Sequence, residues 1–125
     1  MQNGLYIVAT PIGNLGDLSP RAAETLANAD VIACEDTRIA KKLFALLNIS
    51  TAGKKFIVYQ NYNEEDEAQN IINLAVNDGK SIALVSDAGS PLISDPGYKL
   101  VRKAREQNVF VTVLPGCCAL ICALQ

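Results

Sequence analysis

The stretch SIALVSDAGSPLISDPG, residues 81–97, decides the fold class. Its first part, Ser81 to Ser86, is apolar almost without interruption, the pattern of a strand covered on both faces and hence of a parallel sheet. Its last part, Asp95-Pro96, reads as the start of a helix that continues through YKLVRKAREQ. A strand running into a helix is half of a βαβ unit, whose connections usually take about 2–6 residues. The thirteen residues from Val85 to Gly97 are about twice that length and keep Leu92 and Ile93 apolar in their middle. The connection is therefore expected to hold something.

The same pattern recurs on both sides of this stretch. Apolar runs rich in β-branched residues occur at LYIVAT (5–10), VIAC (31–34), FIVY (56–59) and VFVTVL (109–114). Between them lie helical segments. Ser19 is a cap for a helix with Pro20 at its first position and Ala22, Ala23, Leu26 and Ala27 on one face. Ile39, Leu43, Leu46 and Leu47 give a second helix its expected apolar stripe, and a third, from EEDEAQ, loads acids into its first turn and stops at Gly79. The closing segment GCCALICALQ (116–125) reads as a fifth helix, apolar nearly all round, which would expect cover from more protein. The expected fold is α/β, a five-stranded, mostly parallel sheet with helices on both faces and right-handed crossovers.

With 125 residues, half of them hydrophobic, and a net charge of −2, the chain is one domain with no global positive field to draw it to nucleic acid or anionic membranes. It carries no basic-then-apolar leader and no apolar run near the ~18 residues of a membrane span, so a soluble, cytoplasmic protein is expected. The four cysteines and the absence of histidine suit reduced thiols rather than a disulfide framework or a metal site.

In open α/β sheets ligands bind beyond the carboxyl ends of the strands. The loop after the first run, TPIGNLGDLS, matches neither of the glycine-rich phosphate motifs, and a turn with a helix cap accounts for Pro11, Gly13 and Ser19 without a ligand. Asp87-Ala88-Gly89-Ser90 is different. Backbone donors and one carboxylate directly off a strand end suit a ribose hydroxyl or an ammonium group and repel phosphate. EDTRIAKK (35–42) clusters Arg38, Lys41 and Lys42, with Arg38 and Lys42 one helical turn apart, either as a solvated face paired to Glu35 and Asp36 or as a local contact for an anionic substrate such as an RNA backbone. Cysteine catalysis is not expected, because Cys117 and Cys118 have no base to activate them.

Taken together, LYIVATPIGNLGDLSPRA, EDTR, LVSDAGSPLISDPG and LPGCCA, in this order, resemble the tetrapyrrole methylase superfamily, and within it the branch that acts on small-subunit ribosomal RNA. The resemblance covers essentially the whole chain. It implies the N-terminal half of a two-domain methyltransferase, residues 1–125 forming the first domain, with S-adenosylmethionine (SAM) bound in a cleft between the domains. It further implies that Ile12 and Gly13 line the floor of that cleft, that Asp87, Ala88 and Gly89 meet the methionine or ribose portion, that Leu92 packs against it, and that Cys118 and Ala119 form a third wall. The reaction implied is 2′-O-methylation of a cytidine ribose in small-subunit (16S) ribosomal RNA by the full-length protein, expected as a homodimer without metal. Glu35, Asp36 and Arg38 are the candidates for orienting substrate. The family often carries histidine in the segment that reads QNYNEE here, and this chain has none. Two alternatives remain: methylation of a corrin or porphyrin, and an isolated domain that is inactive alone and serves as a binding or assembly module.

Overall fold

The computed structural model describes residues 2–9, 19–59, 64–86 and 95–114. They form β1 (Gly4–Ala9), α1 (Pro20–Asn28), β2 (Val31–Cys34), α2 (Thr37–Leu46), β3 (Lys55–Val58), α3 (Glu64–Val76), β4 (Ser81–Ser86), α4 (Asp95–Glu106) and β5 (Val111–Leu114). The strands make one sheet in the order β3-β2-β4-β1-β5, and every pairing in it is parallel. The expected runs at 31–34 and 81–86 are strands over those same residues. The other three differ from their runs by up to two residues at one end or both, as fraying ends do. The expected fifth helix lies outside the described residues.

Near-continuous apolarity is explained by burial on both faces. Leu5, Ile7, Ile82 and Leu84 pack with Ala68, Ile71, Ile72 and Ala75 of α3 and Leu100, Val101 and Ala104 of α4. Their neighbours Tyr6, Val8, Ala83 and Val85 point to the other face, against Ala22 and Leu26 of α1 and Leu43 and Phe44 of α2. The chain thus steps one way along the sheet with its helices on one face and returns with its helices on the other, so all four crossovers share one hand.

Helix ends follow their local chemistry. The Ser19 hydroxyl accepts from the Ala22 N–H at 3.2 Å, with Pro20 at the first position. At the other end of α1 the Lys54 ammonium donates to the carbonyls of Ala27 (2.6 Å) and Ala29 (2.7 Å). The expected stop at Gly79 is a left-handed residue (φ 65°), and Asn48 and Asn108 play the same part after α2 and α4 (φ 58° and 59°).

Two helix faces differ from expectation. On α2 the buried residues are Ala40, Leu43 and Phe44, whereas Ile39 and Leu46 are 47% and 60% exposed. Positions 40, 43, 44 and 47 form the i, i+3, i+4, i+7 set, and the Phe44 ring meets Phe56 of β3 edge-on at 5.4 Å, which turns Ile39 and Leu46 outward. On α1, Ala27 is exposed and Thr25 is buried instead, its hydroxyl donating to the Arg21 carbonyl at 2.9 Å.

At the amino edge of the sheet, Asp30 ties β2 to β4. Its carboxylate accepts from the Ser81 backbone N–H and hydroxyl, both at 3.1 Å. The Ser81 backbone bond holds the Asp30 carboxyl below its usual range; burial opposes this, and the Ser81 hydroxyl, Lys80 and Lys54 add to it. A lowered folded pKa means stability that is present above the unfolded value of about 3.9 and lost as pH falls through the lower folded value. Asp30→Ala is expected to cost about 1 kcal/mol at pH 7, a modest figure because the group is exposed. In urea melts the gap between variant and parent should close below about pH 4; a gap that persists there would remove the carboxylate from the explanation.

Candidate functional site

Register brings the strand ends together. Ala9 pairs with Ser86 across β1 and β4, Val8 with Leu114 across β1 and β5, and Cys34 with Val85 across β2 and β4. The carboxyl ends of these four strands therefore finish at one level. The chain leaving β1 proceeds to α1 on one face, while the chain leaving its neighbour β4 proceeds to α4 on the opposite face. β2, the other neighbour of β4, diverges from it in the same way, because α2 lies on the α1 face; such divergence between adjacent parallel strands makes the switch-point region at which open α/β sheets form a ligand crevice.

The described floor beneath this point is apolar: Val8, Val85, Leu114 and Cys34 are all buried. The Cys34 thiol donates to the Ile57 carbonyl at 3.6 Å, a packed group rather than an exposed nucleophile. Ile12, Gly13, Asp87, Ala88, Gly89, Leu92, Cys118 and Ala119 lie outside the described residues, as do Cys117 and Cys122; what is described is the strand end that precedes each loop.

Glu35, Asp36 and Arg38 are described, and they sit where β2 ends and α2 begins. Glu35 is exposed at the bend. Asp36 is the helix cap, its Oδ1 accepting from the Arg38 N–H at 2.9 Å. The same carboxylate receives Arg38 Nε on Oδ1 (3.4 Å) and Nη2 on Oδ2 (3.3 Å). Hydrogen bonds from the Arg38 side chain, then from its backbone, hold the Asp36 carboxyl below its usual range. Arg38 stays 90% exposed while Asp36 is 34% exposed. Asp36 thus serves α2 and aims Arg38, so any action on a substrate passes through the guanidinium. Lys41 of the same EDTRIAKK segment lies with its ammonium 5.4 Å from the Phe56 ring centroid, a placement that depends on the β3 register and leaves no local signal.

Two open clefts occur elsewhere among the described residues, and neither holds the trio. One, of about 510 Å³, lies between β3 and α3 and is lined by Lys55, Glu67, Asn70 and Asp78 among others. The other, of about 660 Å³, lies between β5 and α1 beside Tyr6, Arg21 and Phe110. No helix among the described residues is long and apolar enough to cross a membrane.

Comparison with known proteins gives this edge a context. The family model of the tetrapyrrole (corrin/porphyrin) methylases matches residues 4–125. The chain belongs to that family. It is 55% identical over 121 residues to the ribosomal RNA small subunit methyltransferase I of Vibrio cholerae, which aligns with 97% of this chain and 41% of the relative. The protein of the same name from Rickettsia prowazekii is 48% identical over 124 residues, covering 99% of this chain and 43% of that one. The chain accordingly spans less than half the length of these curated relatives. Among solved structures, uroporphyrin-III-C-methyltransferase from Thermus thermophilus superposes with a TM-score of 0.72 at 22% identity, over 94% of this chain and 49% of that one, a likeness of fold. The expected five-stranded parallel α/β architecture is thus both observed and shared with the tetrapyrrole methylase fold.

Proposed function

We propose that this tetrapyrrole methylase family chain is the N-terminal, cofactor-binding domain of a SAM-dependent methyltransferase whose substrate is a cytidine ribose 2′-hydroxyl in small-subunit ribosomal RNA. The observation that carries the reading is the Ala9–Ser86 register at the switch point. It starts the loops bearing Ile12-Gly13 and Asp87-Ala88-Gly89-Leu92 from adjacent strand ends, with the loop bearing Cys118-Ala119 following β5 on the other side of β1. The names of the relatives at 48–55% identity support the RNA substrate.

The residues fit the cofactor chemically. An apolar floor of Val8, Val85 and Leu114 suits an adenine ring and the methylene groups of a methionine chain, and the Asp87 carboxylate suits a ribose hydroxyl or an ammonium. SAM, when bound, supplies an electrophilic sulfonium methyl for attack by a hydroxyl oxygen. The protein's share is positioning, from which transfer reactions of this kind draw most of their acceleration. Asp87, Ala88 and Gly89 hold the cofactor, Ile12, Gly13, Leu92, Cys118 and Ala119 exclude water around it, and Arg38, aimed by Asp36 and flanked by Glu35, orients the RNA. The complete protein is read as a cytoplasmic homodimer.

The test uses a chimaera in which residues 1–125 are continued by the remainder of the Vibrio cholerae relative. Incubated with tritiated SAM and small ribosomal subunits lacking the modification, it should label the RNA at a ribose oxygen. Label on a base, or label on uroporphyrinogen III with none on RNA, would overturn the substrate assignment.

A further inference from the structure

The fold accounts for most of the described cations. Lys54 closes α1, Arg102 pairs with Glu106 at 3.3 Å, Lys103 and Arg105 complement the last turn of α4, Lys80 faces Asp30, and Lys55 shares a cleft with Glu67 and Asp78. Lys41 and Lys42 have no such carboxylate partner among the described residues, and Arg38, although paired with Asp36, keeps its guanidinium largely in solvent. Arg38 lies in the first turn of α2, and Lys41 and Lys42 follow at the middle of the helix. The positive end of the helix macrodipole disfavours a cation at Arg38, an effect confined to the first turn. Arg38 is tethered to Asp36 yet presents most of its guanidinium to solvent, and Lys41 is steadied over the Phe56 ring. Lys42 is exposed one turn beyond Arg38 on the same face. Neither lysine forms an ion pair among the described residues.

We propose that Arg38, Lys41 and Lys42 form a contact surface for the phosphodiester backbone of an RNA strand lying across the carboxyl edge of the sheet. Placement supports this, because α2 starts at the end of β2, and β2 is the neighbour of β4 at the switch point. A cationic patch on a chain of net charge −2 confines a polyanion to that edge instead of binding it everywhere. Backbone contacts of this kind position a nucleic acid without reading its sequence, which is what presentation of one hydroxyl beside the crevice requires. The proposal rests on the RNA reading above and can fail separately from it, since binding is measured here without SAM.

The experiment is fluorescence anisotropy of a fluorescein-labelled single-stranded RNA oligonucleotide titrated with the 125-residue chain between about 50 and 200 mM salt. K41Q/K42Q is compared with the charge-matched control K103Q/R105Q, which alters the opposite edge of the sheet. The expected result is an affinity about tenfold lower for K41Q/K42Q, with a salt dependence shallower by about 1.4 in log–log slope, the counterion release of two phosphate contacts on a single strand. The control should match the parent in both. No RNA binding by the parent, equal loss in both variants, or competition by polyglutamate as effective as by unlabelled RNA would each overturn the proposal, the last by pointing to an acidic protein partner. Loss confined to K41Q/K42Q supports it even if methyl transfer to RNA is never observed.

Discussion

Isothermal titration of SAM into the 125-residue chain is expected to give binding about 100- to 1,000-fold weaker than titration into the chimaera continued by the Vibrio cholerae sequence. The reason lies in how the proposed cleft is walled. Small-molecule sites normally bury about 70–90% of their ligand, and the family resemblance implies a cleft between two domains, of which this chain supplies the side built on β1, β4 and β5. The chain matches only 41% of that relative. With the opposing side open, the Asp87 carboxylate acts through a water-like dielectric and the apolar contacts are halved. A loss of about 3–4 kcal/mol corresponds to the stated factor. In the chimaera, Asp87→Ala should abolish measurable binding. Equal, tight binding by the isolated chain would show that the second domain is no part of the site, and unchanged binding by Asp87→Ala would remove that carboxylate from it.

Phe44→Ala is expected to destabilise the chain by about 3–5 kcal/mol, the range for truncating a buried aromatic ring. Phe44 is fully buried, stands edge-on to Phe56 with ring planes at 69°, and joins α2 to the sheet beside Ile32 and Val85. Its removal leaves a cavity between helix and sheet that rigid neighbours on β2 and β4 cannot fill. Against a typical stability of about 5–15 kcal/mol, such a loss is visible in any denaturant melt. Ile39→Ala and Leu46→Ala, on the exposed face of the same helix, should each stay within about 0.5 kcal/mol of the parent. If Leu46→Ala proved as costly as Phe44→Ala, the helix would be rotated from the position described.

Much of this architecture is legible in the chain alone. Runs such as SIALVS and VIAC are apolar at successive positions, and a strand can bury both of its faces only between two helical layers; class, strand count and parallel sense follow from that one physical fact. Ser19-Pro20 and Gly79 mark helix ends because capping and left-handed backbone are local requirements met by few residue types. The identity of the cofactor was not legible in this sense. Asp87-Ala88-Gly89 indicates a ligand that is not a phosphate, and SAM enters through resemblance to a family. Other features depend on contacts between residues remote in sequence. The rotation of α2 is one of them, because Phe44 packs against Phe56, on a strand whose register no local pattern encodes. The double use of Asp36, as helix cap and as the anchor of Arg38, is a local contact two residues apart, one of the two roles EDTR leaves open, since a carboxylate there serves equally well as a surface charge or a substrate ligand. Strand order was decided only by tertiary structure. The same apolar runs could be stacked in several sequences, and placing β4 between β1 and β2 is a matter of which side chains interlock across both faces of the sheet. That placement brings the ends of β1 and β4 side by side and so creates the crevice.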